Sequence, residues 1–401
     1  MSEWKKVKLG EICERVTSGG TPKANVSSYY NPPTIPWLKT KEVNYCRITE
    51  TENYISEEGL KNSSAKLISP NSVIIAMYGQ GDTAGRIAIN KIPLATNQAC
   101  CNLTIDKSKA DYEFIYYQLC TLYDKLVSLK AGAAQPNLNA RIIKNLEIIM
   151  PSLPIQHRIA TILSRYDSLI ENYQKQIKLL EEAAQRLYKE WFIDLHFPEH
   201  ENTNIIDGVP ERWEKKKVNS IIELQSGFAF KSSTFDDNGT YKIVTIKNVK
   251  EGAFDGDNVS RIVAIPEKMP KHCVLADGDI LLSLTGNVGR VCIVNGKNYL
   301  LNQRVAKLAT DYKAFAYCLF RSRDMFIEVN NLANGAAQQN VSPIRIGEMK
   351  ILLPNNELLQ EFESIARKSI ARIISLQSQL HLLTEARDRL LPKLMNGEIK
   401  V

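Results

Sequence analysis

The sequence predicts an α+β protein that uses one folding plan twice: two repeated α+β halves joined by two long helices pairing as an antiparallel coiled coil. Three observations carry this. The chain matches itself at an offset of about 203 residues, setting Leu129 against Leu332. Each half closes with a long stretch whose apolar residues fall at heptad spacing. Ahead of each stretch lie mixed strand, turn and short-helix signals, over residues 1–153 and 199–355.

The self-match is read from paired segments. LKAGAAQPN (Leu129 to Asn137) returns as LANGAAQQN (Leu332 to Asn340), and LEIIMP ending at Pro151 returns as MKILLP ending at Pro354. GRIAI from Gly85 answers GRVCI from Gly289, TNQ at Thr96 answers LNQ at Leu301, and WKKVKL from Trp4 answers WEKKKV from Trp213. The offset drifts by a few residues, as loop insertions make it do. A period this long marks a duplicated structural unit.

The helices follow. In the first, Ile159, Leu163, Tyr166, Ile170, Tyr173, Ile177, Leu180, Ala184, Leu187 and Trp191 alternate steps of four and three. The second repeats this register from Phe362 to Leu394, with Ser369 and Arg387 as its only polar seam positions. Both seams belong to one chain, so they pair with each other, antiparallel, and bring Met1 near Val401. Pro392 is expected to end or bend the second helix near Leu391, because proline lacks the donor a helix interior needs.

Within the halves, NSVIIAMYG (Asn71 to Gly79) and DGDILLSLTG (Asp277 to Gly286) read as buried strands, and YEFIYYQLCTLYDKLVSL (Tyr112 to Leu129) as helix. RVCIVNGKNYLL (Arg290 to Leu301) reads as a hairpin closing on Asn295-Gly296, a dipeptide suited to a type I′ turn.

Composition excludes several classes. With 44% hydrophobic and 24% charged residues the chain is of ordinary globular type, and its formal charge of +7, 51 basic against 44 acidic side chains, favours a polyanionic partner. No apolar run is long enough to span a membrane and MSEWKKVK lacks a signal-peptide core, so the cytoplasm is the expected compartment. The eight cysteines are scattered with no C-x-x-C pair, which reads as reduced thiols. His196 and His200 have helical metal-pair spacing, but Pro198 lies between them, so no metal is expected.

YYNPPTIPW (Tyr29 to Trp37) contains the Asn-Pro-Pro with which adenine-N6 DNA methyltransferases hold their target amino group. Such an enzyme also needs a strand, a glycine-rich turn and a helix for its cofactor. Gly79, Gly81 and Gly85 are the candidate turn, but RIAINKIPLATN after them is β-like and LTGNVGR in the second half loses the spacing. Asn31-Pro32-Pro33 follows polar NVSSYY and is read as a loop. A self-contained adenine-N6 methyltransferase, or a fused nuclease-methyltransferase, is therefore the weaker alternative, and a coiled-coil scaffold with no nucleic-acid role is a third.

With SGGTP (Ser18 to Pro22), GAAQPN before the first helix, LPIQHRIATIL opening it and LLPKLMNGEI (Leu390 to Ile399) near the end, the arrangement resembles the specificity-subunit family of type I restriction-modification systems. The resemblance spans nearly the whole chain. It departs at Asn356 to Gln360, where a Pro-rich start and Glu-Gln are usual, and at SGFAF (Ser226 to Phe230), which replaces Ser-Gly-x-x-Pro. It implies target-recognition domains at residues 1–153 and 199–355 and spacer helices at 154–198 and 356–401. Each domain reads one part of a bipartite site in double-stranded DNA. The helices set the spacing and dock two copies of an adenine-N6 methyltransferase subunit, and a translocating restriction subunit joins. This chain then needs no cofactor and performs no catalysis.

Reading a sequence requires side chains on base edges, and holding register requires phosphate contacts. Amides suit adenine and arginine suits guanine. The residues nominated for bases are Asn97 and Gln98, with Asn302, Gln303 and Arg304; the turn residues Tyr78, Gln80 and Arg86; and their counterparts Thr285, Asn287 and Arg290. Lys39 and Lys41 in WLKTKEV, Lys247 in VTIKNV, and the backbone amides of Ser18, Gly19 and Gly20 are nominated for phosphate. Positions that agree between the halves equally suit a structural task, and for Gly132 to Asn137 and Gly335 to Asn340 that task is delivering the chain to its helix.

Overall fold

The computed structural model describes residues 4–129, 137–333 and 340–401. They form two compact units, Met1–Leu169 with Thr384–Val401, and Ile170–Leu383. Met1 and the inner residues of both repeated GAAQ segments lie outside the described residues.

In the first unit a five-stranded sheet runs in the order Cys13–Ser18, Cys100–Ile105, Val73–Ala76, Ile87–Asn90, Cys46–Ile48, with only the last pair parallel. A four-stranded sheet, Tyr54–Ile55, Ile35–Leu38, Leu94–Thr96, Leu67–Ile68, has a parallel central pair. Why Val73–Ala76 is apolar throughout is now clear. Val73 and Ile75 face a core shared with Phe114 and Leu126 of the following helices, whereas Ile74 and Ala76 face a second core with Leu38 and Leu94. A strand covered on both faces cannot alternate in polarity.

The second unit has the same plan with one strand fewer in its first sheet: Glu223–Ser226, Val305–Ala309, Ile280–Ser283, Val291–Ile293. Its other sheet is Ser260–Ile262, Tyr241–Val244, Tyr299–Leu301, Val274–Leu275, again with a parallel central pair. Ile280 and Leu282 face the helix side and Leu281 the sheet side. Gly85 (φ +94°) and Gly289 (φ +87°) take matching left-handed conformations, against Tyr123 and Phe326 respectively.

Two expectations are corrected. Arg290 to Leu301 is no hairpin: Val291–Ile293 pairs with Ile280–Ser283, while Tyr299–Leu301 pairs with Tyr241–Val244 in the other sheet. The Asn295-Gly296 turn carries the chain from one sheet to the next, and Gly296 N–H donates to Asp277 Oδ1 at 3.1 Å. Likewise the second long helix, Asn356–Met395, runs through Pro392. Proline forfeits its own donor there, but its carbonyl still accepts from Asn396 N–H at 3.0 Å, and the chain turns only at Gly397 (φ +75°).

The first long helix spans Leu153–Tyr188 and continues as a π turn over Lys189–Ile193. All the seam positions of both helices are buried or half-buried. In the first unit Ile159, Ala160 and Leu163 share a core with Leu394 and Met395, while Asp167, further along, bonds Arg387, which lies further back. That is an antiparallel meeting. In the second unit Tyr188 and Trp191, late in the first helix, stack on Phe362, early in the second, at centroid distances of 6.2 and 5.8 Å. Trp4 lies against Gly397 and shares a core with Val401, so both ends of the described chain meet in the first unit. No helix among the described residues is long and apolar enough to cross a membrane.

Gly79, Gly81 and Gly85 sit between Val73–Ala76 and Ile87–Asn90, which pair antiparallel, so the chain leaves that turn as a strand and not as a helix. Asn31 lies in the loop before Ile35–Leu38.

Candidate nucleic-acid interface

Most nominated residues gather where the parallel strand pairs end. In the first unit Leu38 is paired with Thr96, and Asn97 N–H donates to Leu38 O at 2.9 Å. In the second, Val244 is paired with Leu301, and Asn302 N–H donates to Val244 O at 3.1 Å. Parallel strands finish at the same edge, so each pair delivers its two following turns side by side: Lys39–Glu42 beside Asn97-Gln98, and Thr245–Asn248 beside Asn302–Arg304. These pairings match Lys41 to Lys247 and Lys39 to Thr245.

One side chain shapes each turn. Glu42 accepts from Lys39 N–H at 3.1 Å and Glu52 N–H at 2.9 Å. At the equivalent position buried Asn248 accepts from Thr245 N–H at 2.8 Å and donates to the carbonyls of Asp255 and Asn258 at 2.9 and 3.0 Å. Neither was singled out from sequence. The shared frame K-E-V and K-N-V was the available signal, hidden by the change of residue type.

The glycines are steric, which corrects the phosphate role given to their amides. Gly19 N–H donates to Cys100 O at 3.1 Å and Gly20 N–H to Thr96 O at 2.8 Å, so neither is free. A Cβ on Gly19 falls 2.2 Å from Asn97 O, and one on Gly227 falls 2.2 Å from Asn302 O. Only glycine lets this strand cross the turn. Ser18 is paired opposite Cys101, with its side chain exposed.

The hairpin turns join the same edge. Met77 N–H donates to Ala99 O at 2.8 Å, leading Tyr78 and Gln80 out beside Gln98, and Leu284 N–H donates to Arg304 O at 3.0 Å, leading Thr285 and Asn287 out beside Arg304. Thr285 donates to Asn340 Oδ1 at 2.9 Å. Gln80 and Asn287 are exposed, and Tyr78 is half-buried, its hydroxyl pKa raised by burial.

Electrostatics separate the two sites. In the first unit Lys39 is held by Asn53 Oδ1 at 2.9 Å and lies 5.1 Å from the Trp37 ring centroid. Lys41 pairs with Glu52, whose hydrogen bond raises the lysine pKa, and Arg86 pairs with Asp82 at 2.6 Å, which lowers the aspartate pKa. Thr21 donates to Gln98 Oε1. In the second unit Lys247, Gln303 and Arg304 are exposed, and among the described residues neither cation has a carboxylate within 4.0 Å. With Asn302, Asp237 and Asp257 they line a concavity of about 730 Å³. Such a set offers donors to phosphate and guanine, paired donor and acceptor to adenine, and acceptors to the cytosine amino group. Arg290 is half-buried at the foot of the adjoining hairpin turn, where its N–H donates to Ser283 Oγ at 3.0 Å.

Known proteins share this plan. The chain is 29% identical over 417 residues to the type I restriction enzyme MjaIX specificity subunit of Methanocaldococcus jannaschii, covering 100% of this chain and 94% of that protein. Against the Escherichia coli EcoR124I/EcoR124II specificity subunit it is 28% identical over 198 residues, 49% of this chain and 48% of the relative. The crystal structure of a type I restriction-modification S subunit from M. genitalium superposes with a TM-score of 0.64 at 17% identity, covering 98% of this chain and 96% of that one, and so shares the fold. The model of the type I restriction modification DNA specificity domain matches twice, over residues 1–182 and 210–380. The twofold match falls on the two halves that the repeat and the paired turns define, and the chain belongs to the type I restriction modification DNA specificity domain family.

Proposed function

We propose that this chain is the sequence-reading subunit of a type I restriction-modification assembly, with domains at residues 1–153 and 199–355 each reading one part of a bipartite double-stranded DNA site. The helical segments 154–198 and 356–401 act as spacers. Two adenine-N6 methyltransferase subunits dock on the chain and supply cofactor and catalysis, and a restriction subunit joins them. The observation that carries this reading is the recurrence of one turn architecture in which shared residues, Lys41 with Lys247, Asn97 with Asn302 and Gln98 with Gln303, stand beside positions that differ, Lys39 against Thr245 and Ala99 against Arg304. A common frame presenting different polar groups is what reading two different half-sites requires. Tyr78, Gln80 and Arg86, and Thr285, Asn287 and Arg290, extend the two surfaces. The test is methylation mapping in a host carrying and lacking this protein with its methyltransferase subunit. One bipartite motif should disappear with this chain, and methylation that persists at the same sites without it rejects the reading.

A further inference from the structure

Beside the Lys247 turn, one carboxylate has no task in the folded chain. Residues 255–258 form a tightly held turn. Asp255 N–H donates to Asn248 O at 2.9 Å, the Asn248 amide donates back to the carbonyls of Asp255 and Asn258, and the Tyr299 hydroxyl donates to Gly256 O at 3.3 Å. Gly256 is pressed so close that a Cβ there would collide with that hydroxyl. The Asp255 carboxylate accepts from the N–H groups of Asp257 and Asn258 at 3.3 and 3.4 Å. Asp257 is different: it is exposed, it lines the concavity, and its side chain has no hydrogen bond or ion pair among the described residues.

The residue that fixes this turn also shapes the turn of Lys247. Buried Asn248 accepts from Thr245 N–H on one side and donates to residues 255–258 on the other, so one frame presents Lys247 and Asp257 together. Lys247 and Arg304 line the same concavity, yet neither lies within 4.0 Å of the Asp257 carboxylate. The first unit does the reverse. Glu52, whose N–H reaches Glu42 as the 255–258 turn reaches Asn248, gives its carboxylate to Lys41. A free carboxylate suits a phosphate-facing surface badly, because repulsion acts across a Debye length of about 8 Å at physiological salt. It is useful there when it accepts from a base. In the major groove guanine and thymine present acceptor oxygens, adenine sets its amino group beside the N7 acceptor, and cytosine offers its N4 amino group alone. Arg304 has the complementary preference, for guanine O6 and N7.

We infer that Asp257 is a specificity-determining residue, accepting a hydrogen bond from the N4 amino group of a cytosine in the half-site read by residues 199–355, while Arg304 reads guanine beside it. The inference rests on the proposed function and deepens it by assigning one base that this half-site must contain. The equivalent carboxylate of the first unit is held by Lys41, so the requirement belongs to the second domain.

The test uses the full chain with its methyltransferase subunit. Methylation mapping gives the intact motif, and fluorescence anisotropy then measures binding to duplexes in which 2-pyrimidinone, cytosine without its amino group, replaces each motif cytosine in turn. One of these substitutions should weaken binding by the intact chain about tenfold and leave binding by Asp257→Ala unchanged. The duplex defect is the same for both proteins, so the difference between them isolates the contact. Asp257→Ala should also bind random duplexes more tightly, because a repelling charge is gone, and where it methylates, one cytosine position should become permissive. Circular dichroism and melting should match the intact chain, because the altered side chain is exposed and unbonded. Substitutions that weaken both proteins alike, a gain for Asp257→Ala that is equal on cognate and random duplexes, or a motif without cytosine in either strand of one half-site overturns the inference. An intact complex that directs methylation to no bipartite site overturns the proposed function instead.

Discussion

Arg387 of the second long helix donates to Asp167 of the first at 2.8 Å, in a site where the aspartate side chain is only 7% exposed. Arg387 is one of the two polar positions in an otherwise apolar seam, and this bond is its reason. Asp167 also accepts from Arg47 at 2.9 Å and from the Tyr117 hydroxyl at 2.5 Å. One carboxylate thus ties both helices to a sheet strand and a packing helix of the first unit. Removing it leaves Arg47 buried without its central partner, so Asp167→Ala should destabilise the protein by about 3–5 kcal/mol. Urea denaturation should show this. A loss below 1 kcal/mol would mean that water or Glu113 replaces the missing carboxylate.

Gly227→Ala and Gly19→Ala test the strand crossing. With backbone atoms 2.2 Å from the new Cβ, the turn must shift, at a cost of about 1–3 kcal/mol. DNA affinity should fall more for these variants than for a surface alanine substitution of equal stability. Unchanged binding in a folded Gly227→Ala protein would show that the Asn302–Arg304 turn does not touch DNA.

The cations of the two units should behave differently. Lys247→Ala should weaken binding to all sequences and lower the salt slope by about one unit. Lys41→Ala should do less, because that lysine must first leave Glu52. Arg304→Ala should relax one base position, at about 1–3 kcal/mol if its contact is bidentate. Equal losses for Arg304→Ala on cognate and random duplexes, measured by fluorescence anisotropy, would reassign it to phosphate.

Alkali should unfold the protein. Burial pushes the Cys101 thiol up to about 12 and moves Cys100, Cys292 and Cys318 in the same direction. These thiols stay protonated when folded and ionise near the ordinary value of about 8.5 when unfolded. Their contribution is therefore complete below that pH and is lost as pH rises towards the folded value, at up to about 1.4 kcal/mol per pH unit for Cys101. Stability should be flat from pH 7 to 8 and fall steeply by pH 10. A Cys101→Ser variant with the same alkaline slope would exclude this thiol as a contributor.

Inserting seven residues into both long helices should preserve every seam position and lengthen each helix by about 10.5 Å. The spacing between recognised half-sites should then grow by about three base pairs, with the half-site sequences unchanged. Methylation mapping of the extended variant checks this, and methylation at the original spacing would show that the helices do not set the distance.

How much of this was readable in the chain depends on the range of the interaction responsible. The heptad seams and the runs Val73–Ala76 and Ile280–Ser283 carry their signal locally, and they appear where periodicity puts them. Asn295-Gly296 has the chemistry of a hairpin turn, but which strand Tyr299–Leu301 joins is decided by Tyr241–Val244, more than fifty residues earlier. Pro392 misleads for a related reason: packing of Leu394 and Met395 holds the last helical turn despite the lost donor. Asp167 carries no local sign of its role, because Arg47, Tyr117 and Arg387 reach it from three distant segments. The nominated polar residues were brought together because the repeat itself marked them. The glycine amides were misassigned because local sequence does not show which carbonyls will claim them.

The turns at the strand ends are anchored by main-chain bonds, Asn97 to Leu38 and Asn302 to Val244, and by glycines that carry no side chain. Folding therefore places little demand on what Arg304 should be, where the first unit has Ala99. Under the proposed function, a lineage carrying this protein could rewrite the letters its turns present without redrafting the page they stand on, and new specificities would lie within a few substitutions of the present one.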